Sequence, residues 1–80
     1  MQINILAFGI AKDIVGGQAV DFNIQEGATV AELKNALTDQ YPDFARLASL
    51  AIAVNSEYVS DEQILKASDE IVIIPPVSGG

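Results

Sequence analysis

The sequence predicts an α+β domain in which a mixed sheet of about five strands carries one main helix across a single face. Three observations lead there. The chain has 80 residues, half of them apolar, which is enough for one small core and one domain. One stretch alone, residues 29–41, has sustained helical spacing of apolar residues, while the others fall in short strand-like runs. Among those runs the first and the last are apolar on both sides, as strands in the middle of a sheet are.

Each element follows from its pattern. Residues 2–10 begin with polar–apolar alternation and then turn apolar throughout, which predicts a central strand. Alternation returns over residues 19–24, with Val20, Phe22 and Ile24 on one face; the Gly16-Gly17 pair and a short irregular stretch between the two runs predict a hairpin. Thr29 and Glu32 have the spacing of a capping box, in which each side chain satisfies a backbone N–H left free at the start of a helix. Val30, Leu33, Leu37 and Tyr41 then form one apolar stripe, and Pro42 ends the helix because the residue before a proline is pushed out of the α region. Residues 43–47 can add a further helical turn. Residues 50–54 read as a third strand, Asn55-Ser56 as a turn, Tyr58-Val59 as a short return strand, residues 61–65 as a single helical turn, and residues 71–74 as the last strand.

A helix between the hairpin and the later strands has to cross one sheet face, and a right-handed crossover makes the first and last strands parallel neighbours. That arrangement is the β-grasp architecture. Ile3, Ile5, Ala7, Ile71 and Ile73 then point toward the helix, and Leu6, Phe8, Ile10, Val72 and Ile74 toward the other face. With no second long helix, that face stays apolar and open, the mark of a partner surface, unless the segments around Ile14-Val15 or Phe44 fold over it.

Composition removes several classes of function. There is no Cys and no His, so thiolate chemistry, disulfides and the usual neutral-pH base are excluded. No metal site is expected. A net charge of −7, with Lys12, Lys34, Arg46 and Lys66 widely scattered, argues against nucleic acid; the acidity fits either basic protein surfaces as partners or a solvated surface that only keeps a small domain soluble. No basic leader or membrane-length apolar run is visible, and a cysteine-free chain fits a reducing cytoplasm, which is the expected location. The acidic pairs Asp61-Glu62 and Asp69-Glu70 fall in predicted turns and read as solvated rather than catalytic.

The division expected is a domain over residues 1–74 and a flexible, extended C-terminal tail over 75–80. Pro75 and Pro76 end the sheet, since they cannot donate to a ladder. A polyproline-like path rises roughly 3.1 Å per residue, so the tail reaches about 19 Å. Gly79 and Gly80 lack side chains, so a narrow channel admits them and leaves the Gly80 carboxyl carbon open to attack. That suits activation as an acyl-adenylate and transfer to a sulfur or an amine nucleophile.

Residues 69–80 resemble the D-E-V/I-x-x-x-P-P-V-S/T-G-G ending of the small subunit of molybdopterin synthase, the MoaD-type sulfur carriers. Ala53-Val54-Asn55 with Tyr58-Val59, and Thr29-Val30 with Leu33, resemble further segments of that family, so the likeness spans essentially the whole chain. The resemblance implies a ubiquitin-like β-grasp fold and a carrier that binds no cofactor of its own. An E1-like adenylating enzyme (MoeB-type) would use ATP to adenylate Gly80, and a sulfur donor protein would convert it to a thiocarboxylate. The tail would enter the large subunit of the synthase, with Pro75, Pro76, Val77, Ser78 and Gly79 lining its channel. There the sulfur would pass to cyclic pyranopterin monophosphate, building the dithiolene of molybdopterin. By the same resemblance Phe8, Tyr58 and Ile74 form the docking surface, catalytic groups belong to the large subunit, and the assembly is a heterotetramer. A carrier for thiazole synthesis or another pathway, and a ubiquitin-like protein modifier, share the first chemical step and stay open; Pro75-Pro76-Val77 favours the molybdopterin carrier.

Overall fold

A computed structural model describes residues 1–47 and 50–74. The expectations for Pro75, Pro76, Val77, Ser78, Gly79 and Gly80, and with them the division at residue 74, lie outside the described residues. The elements are β1 (Gln2–Ala7), α1 (Ile10–Val15), β2 (Ala19–Asn23), α2 (Val30–Gln40), a 3₁₀ helix (Pro42–Arg46), β3 (Ala51–Val54), β4 (Glu57–Tyr58) and β5 (Ile71–Ile74). They form a five-stranded sheet of order β2-β1-β5-β3-β4. β1 and β5 are the parallel pair, and the other neighbours are antiparallel. The two strands that are apolar on both sides therefore lie together near the centre, as their sequences require.

The core is one layer between sheet and helix. Ile3, Ile5, Ala7, Ile52, Val54, Ile71 and Ile73 meet Val30, Leu33 and Leu37 of α2, all of them buried. The Thr29 capping box is complete: the Glu32 N–H donates to the Thr29 hydroxyl at 3.3 Å, and Glu32 Oε1 accepts from the Thr29 N–H at 3.0 Å. α2 stops at Gln40, before Pro42, and Tyr41 leaves the helical region at φ −127°. Phe44 is buried in the core and meets Tyr41 edge to face at 6.1 Å.

Two local readings need correction. The first strand ends at Ala7, and residues 10–15 are helical rather than irregular. Gly9 at φ 57° turns the chain out of the strand, a backbone region that costs glycine little. Ala11 is then buried and Ile14 and Val15 half-buried against the core, so tertiary packing holds a helix too short to form alone. Ile10 thus heads α1 instead of extending the open face. The second correction concerns residues 61–65, which make a turn and an isolated bridge between Ile64 and Thr29 rather than a helical turn. Their carbonyls are committed elsewhere. Gln63 and Asp61 accept from the N–H groups of Val30 and Ala31 at 2.9 Å each, which are donors that the start of α2 leaves unpaired.

Candidate functional site

Among the described residues, the helix side of the sheet is filled and the other side is not. Ile14, Val15 and Phe44 all pack against the core on the helix side, so the segments that could have covered the second face do not. The registers place one continuous apolar row across all five strands: Ala19 beside Leu6, Leu6 beside Val72, Val72 beside Ala53, and Ala53 beside Tyr58. One pleat further along, Ile74 stands opposite Ala51 on the same face, and Phe8 follows Leu6 by two residues. Tyr58 is 75% exposed and Phe8 54%, with Leu6, Val72 and Ile74 half-buried.

This face has a direction. Its other half is polar: Gln2, Asn4, Asp21 and Asn23 share it, and the Asn4 amide donates to the Asp21 carboxylate across the strands at 3.0 Å. The apolar half lies at the C-terminal ends of β1 and β5. Because those strands are parallel, Ile74, the last residue of β5, sits in the apolar half beside the point where residues 75–80 begin. An apolar surface that reaches the base of the chain's terminal segment can seat a partner and hand it that segment in one orientation.

Strand alternation placed Phe8 and Ile74 on the open face and the family resemblance added Tyr58; the registers put Tyr58 and Ile74 on that face, with Phe8 two residues beyond Leu6. Sequence reasoning missed Ala51 and Ala53, which join β5 to β4. The alternation of Ala51, Ile52, Ala53 and Val54 was a signal for them, since Ile52 and Val54 are core residues and leave the alanines to the opposite face.

The base of β5 is fixed by a small polar network. Asn55 and Ser56 form the two-residue turn between β3 and β4 at φ 53° and 71°. The Glu70 N–H donates to the Asn55 side-chain carbonyl at 2.9 Å, and the Asn55 amide donates to Asp69 at 3.0 Å. The other carboxylate oxygen of Asp69 accepts from the Lys66 N–H at 2.9 Å. Asp69 is thus structural, not merely solvated, while the exposed Asp61 carboxylate pairs at the surface with Lys34 at 2.7 Å. Among the described residues no group of three or more His, Cys, Asp or Glu is placed to hold a metal ion, and no helix is long and apolar enough to cross a membrane.

Sheet order, the single long helix across one face and the open apolar half-face define a ubiquitin-like β-grasp protein. The chain belongs to the ThiS family, whose model matches residues 5–80. It is 36% identical to the molybdopterin synthase sulfur carrier subunit of Dictyostelium discoideum, over 99% of this chain and 96% of the relative. A Pyrococcus furiosus structure proposed to be molybdopterin converting factor subunit 1 superposes with a TM-score of 0.86 at 26% identity, covering 96% of this chain and 99% of that one. A Helicobacter pylori chain from a complex of molybdopterin-converting factor subunits 1 and 2 superposes with a TM-score of 0.66 at 25% identity, each chain covered in full.

Proposed function

We propose that this chain is the sulfur carrier subunit of a molybdopterin synthase. The observation that carries the reading is the coincidence of an open apolar half-face with the base of a terminal segment ending in Pro75-Pro76-Val77-Ser78-Gly79-Gly80. In this reading a large synthase subunit packs on Phe8, Tyr58 and Ile74, and residues 75–79 lie along its channel. The Helicobacter pylori complex of subunits 1 and 2 supports that kind of partner.

Gly80 carries the chemistry. Its carboxylate attacks the α-phosphorus of ATP on an E1-like adenylating enzyme, and pyrophosphate leaves. A sulfide equivalent supplied by a donor protein then displaces AMP from the acyl carbon, leaving a thiocarboxylate. That sulfur passes to cyclic pyranopterin monophosphate, and water attacks the acyl carbon to cleave its bond to sulfur, so that Gly80 returns as a carboxylate. Gly79 and Gly80 offer no side chain to block either approach. In this reading the carrier needs no cofactor of its own, and the large subunit supplies the acid–base groups for the transfer. ATP-dependent activation and a cysteine-free chain agree with work in the cytoplasm.

Reconstitution tests this. The chain charged by an E1-like enzyme, ATP and a sulfur source, then mixed with a large subunit and cyclic pyranopterin monophosphate, forms molybdopterin. A chain extended by one residue past Gly80 folds normally and forms none. Full activity of the extended chain would overturn the reading.

A further inference from the structure

The outer edge of β2 is unused by the tail chemistry, and among the described residues its backbone is open. Met1 and Ile24 exchange both of their backbone bonds: the Met1 ammonium donates to the Ile24 carbonyl at 2.6 Å, and the Ile24 N–H to the Met1 carbonyl at 2.9 Å. The Ala7 N–H donates to the Gln18 carbonyl at 2.8 Å. Such pairs alternate along an antiparallel ladder. With Ile3 opposite Phe22 and Ile5 opposite Val20, the bonds to β1 come from Val20, Phe22 and Ile24. The N–H and C=O groups of Ala19, Asp21 and Asn23 therefore face outward, and β2 is the terminal strand on that side. An edge of this kind accepts another strand through main-chain pairing.

A shallow groove runs between this edge and α2. Ile24 and Ala36, both half-buried, lie along it, and Glu32, Asn35 and Asp39 line its helix side. Its charged groups are all acidic. Lys34, the one basic residue of α2, is turned to Asp61 at 2.7 Å. Glu32 accepts from Thr29 and, at 2.8 Å, from the Gln25 amide, and its carboxylate keeps acceptor capacity beyond those bonds. Asp39 makes no side-chain hydrogen bond among the described residues.

This acidity selects among possible strands. A second copy pairing through the same edge would bring an equally acidic groove against Glu32 and Asp39, and Asp21 on the other face against acidic neighbours across the ladder, where like charges are destabilising. A strand carrying Lys or Arg at alternate positions meets the opposite situation. Its inward side chains would lay their aliphatic stems over Ile24 and Ala36 and reach Glu32 and Asp39 with their charged heads.

We propose that the outer edge of β2 and the groove beside α2 form a docking site for an extended basic segment of a partner protein, added to the sheet as a further strand. The groove faces the helix side and the Phe8, Tyr58 and Ile74 surface faces the other, so both are accessible at once. The proposal does not depend on the sulfur-carrier reading.

The test is a titration of the isotope-labelled full chain, followed by amide NMR, with a peptide of about eight residues alternating Lys and Val. The expected result is saturable shifts at Ala19, Asp21, Asn23, Asn35 and Asp39, with a dissociation constant below about 1 mM. Reversing charge in the groove with Asp39→Lys weakens binding at least ~10-fold. The same change of net charge away from the groove, Asp13→Lys, leaves the shift pattern in place. Both aspartates are exposed, and the spectrum of each free variant checks its fold. Shifts centred on Phe8, Tyr58 and Ile74, equal weakening by both variants, or no saturable shifts would each overturn the proposal.

Discussion

Asn55 shows how a single side chain can set the geometry of a distant segment. It holds a left-handed turn at φ 53° and bonds both Asp69 and Glu70, so the start of β5 is tied to the β3–β4 hairpin. Asn55→Gly keeps the turn and loses the side-chain bonds, and is expected to cost about 1 kcal/mol in urea denaturation. Asn55→Ala adds the strain of a left-handed backbone, roughly 1–2 kcal/mol more. Equal stability of the two variants would show that the turn conformation is not what the asparagine supplies. Thr29→Ala removes the cap of α2 and is expected to cost about 1 kcal/mol. The two sites differ in how visible they were. Thr29 and Glu32 are three residues apart and announce their bond in the sequence. Asn55 and Asp69 are 14 apart, and only the pairing of β3 with β5 brings them together.

The elements separate stability from recognition. Leu33 and Leu37 are fully buried under the sheet, so either one changed to Ala should cost about 2–5 kcal/mol. That is a large share of a margin near ~5 kcal/mol for a domain this size. Phe8 and Tyr58 project from the open face instead. Phe8→Asp and Tyr58→Asp should leave stability within about 0.5 kcal/mol while weakening binding to a large synthase subunit by about 2 kcal/mol or more, roughly 30-fold. Calorimetric titration alongside denaturation checks both halves, and a loss of stability without a loss of affinity would make this face structural. The long helix and the central strands were legible because their periodicity outlasts local ambiguity. α1 was not: six residues with an apolar majority fit strand, loop or helix, and the decision came from Gly9 and from the burial of Ala11. Residues 61–65 were misread for a related reason, since the open donors of α2 claimed their carbonyls.

At the scale of the molecule, the fold divides its surface by task. One half-face is apolar and adjoins the base of the terminal segment, while the β2 edge and its groove are acidic. Strand alternation and the lack of a second long helix led to the open face in outline, but only the cross-strand registers reveal that Ala19, Leu6, Val72, Ala53 and Tyr58 make one row. A dithiolene holds a pair of sulfurs, and in the proposed function each carrier delivers a single one. Product formation should therefore consume a pair of charged chains per molecule, which a titration of charged carrier against product measures. Gly80 is proposed as the group that carries sulfur. The intact mass of the chain taken from its own host with a free C-terminus, with the modification located by fragmentation, tests this. The expected result is a population in which one oxygen of the Gly80 carboxylate is replaced by sulfur. A Gly80 carboxylate that stays unmodified even after incubation with ATP, an E1-like enzyme and a sulfur donor, or a Gly80 joined to lysine instead, would contradict it.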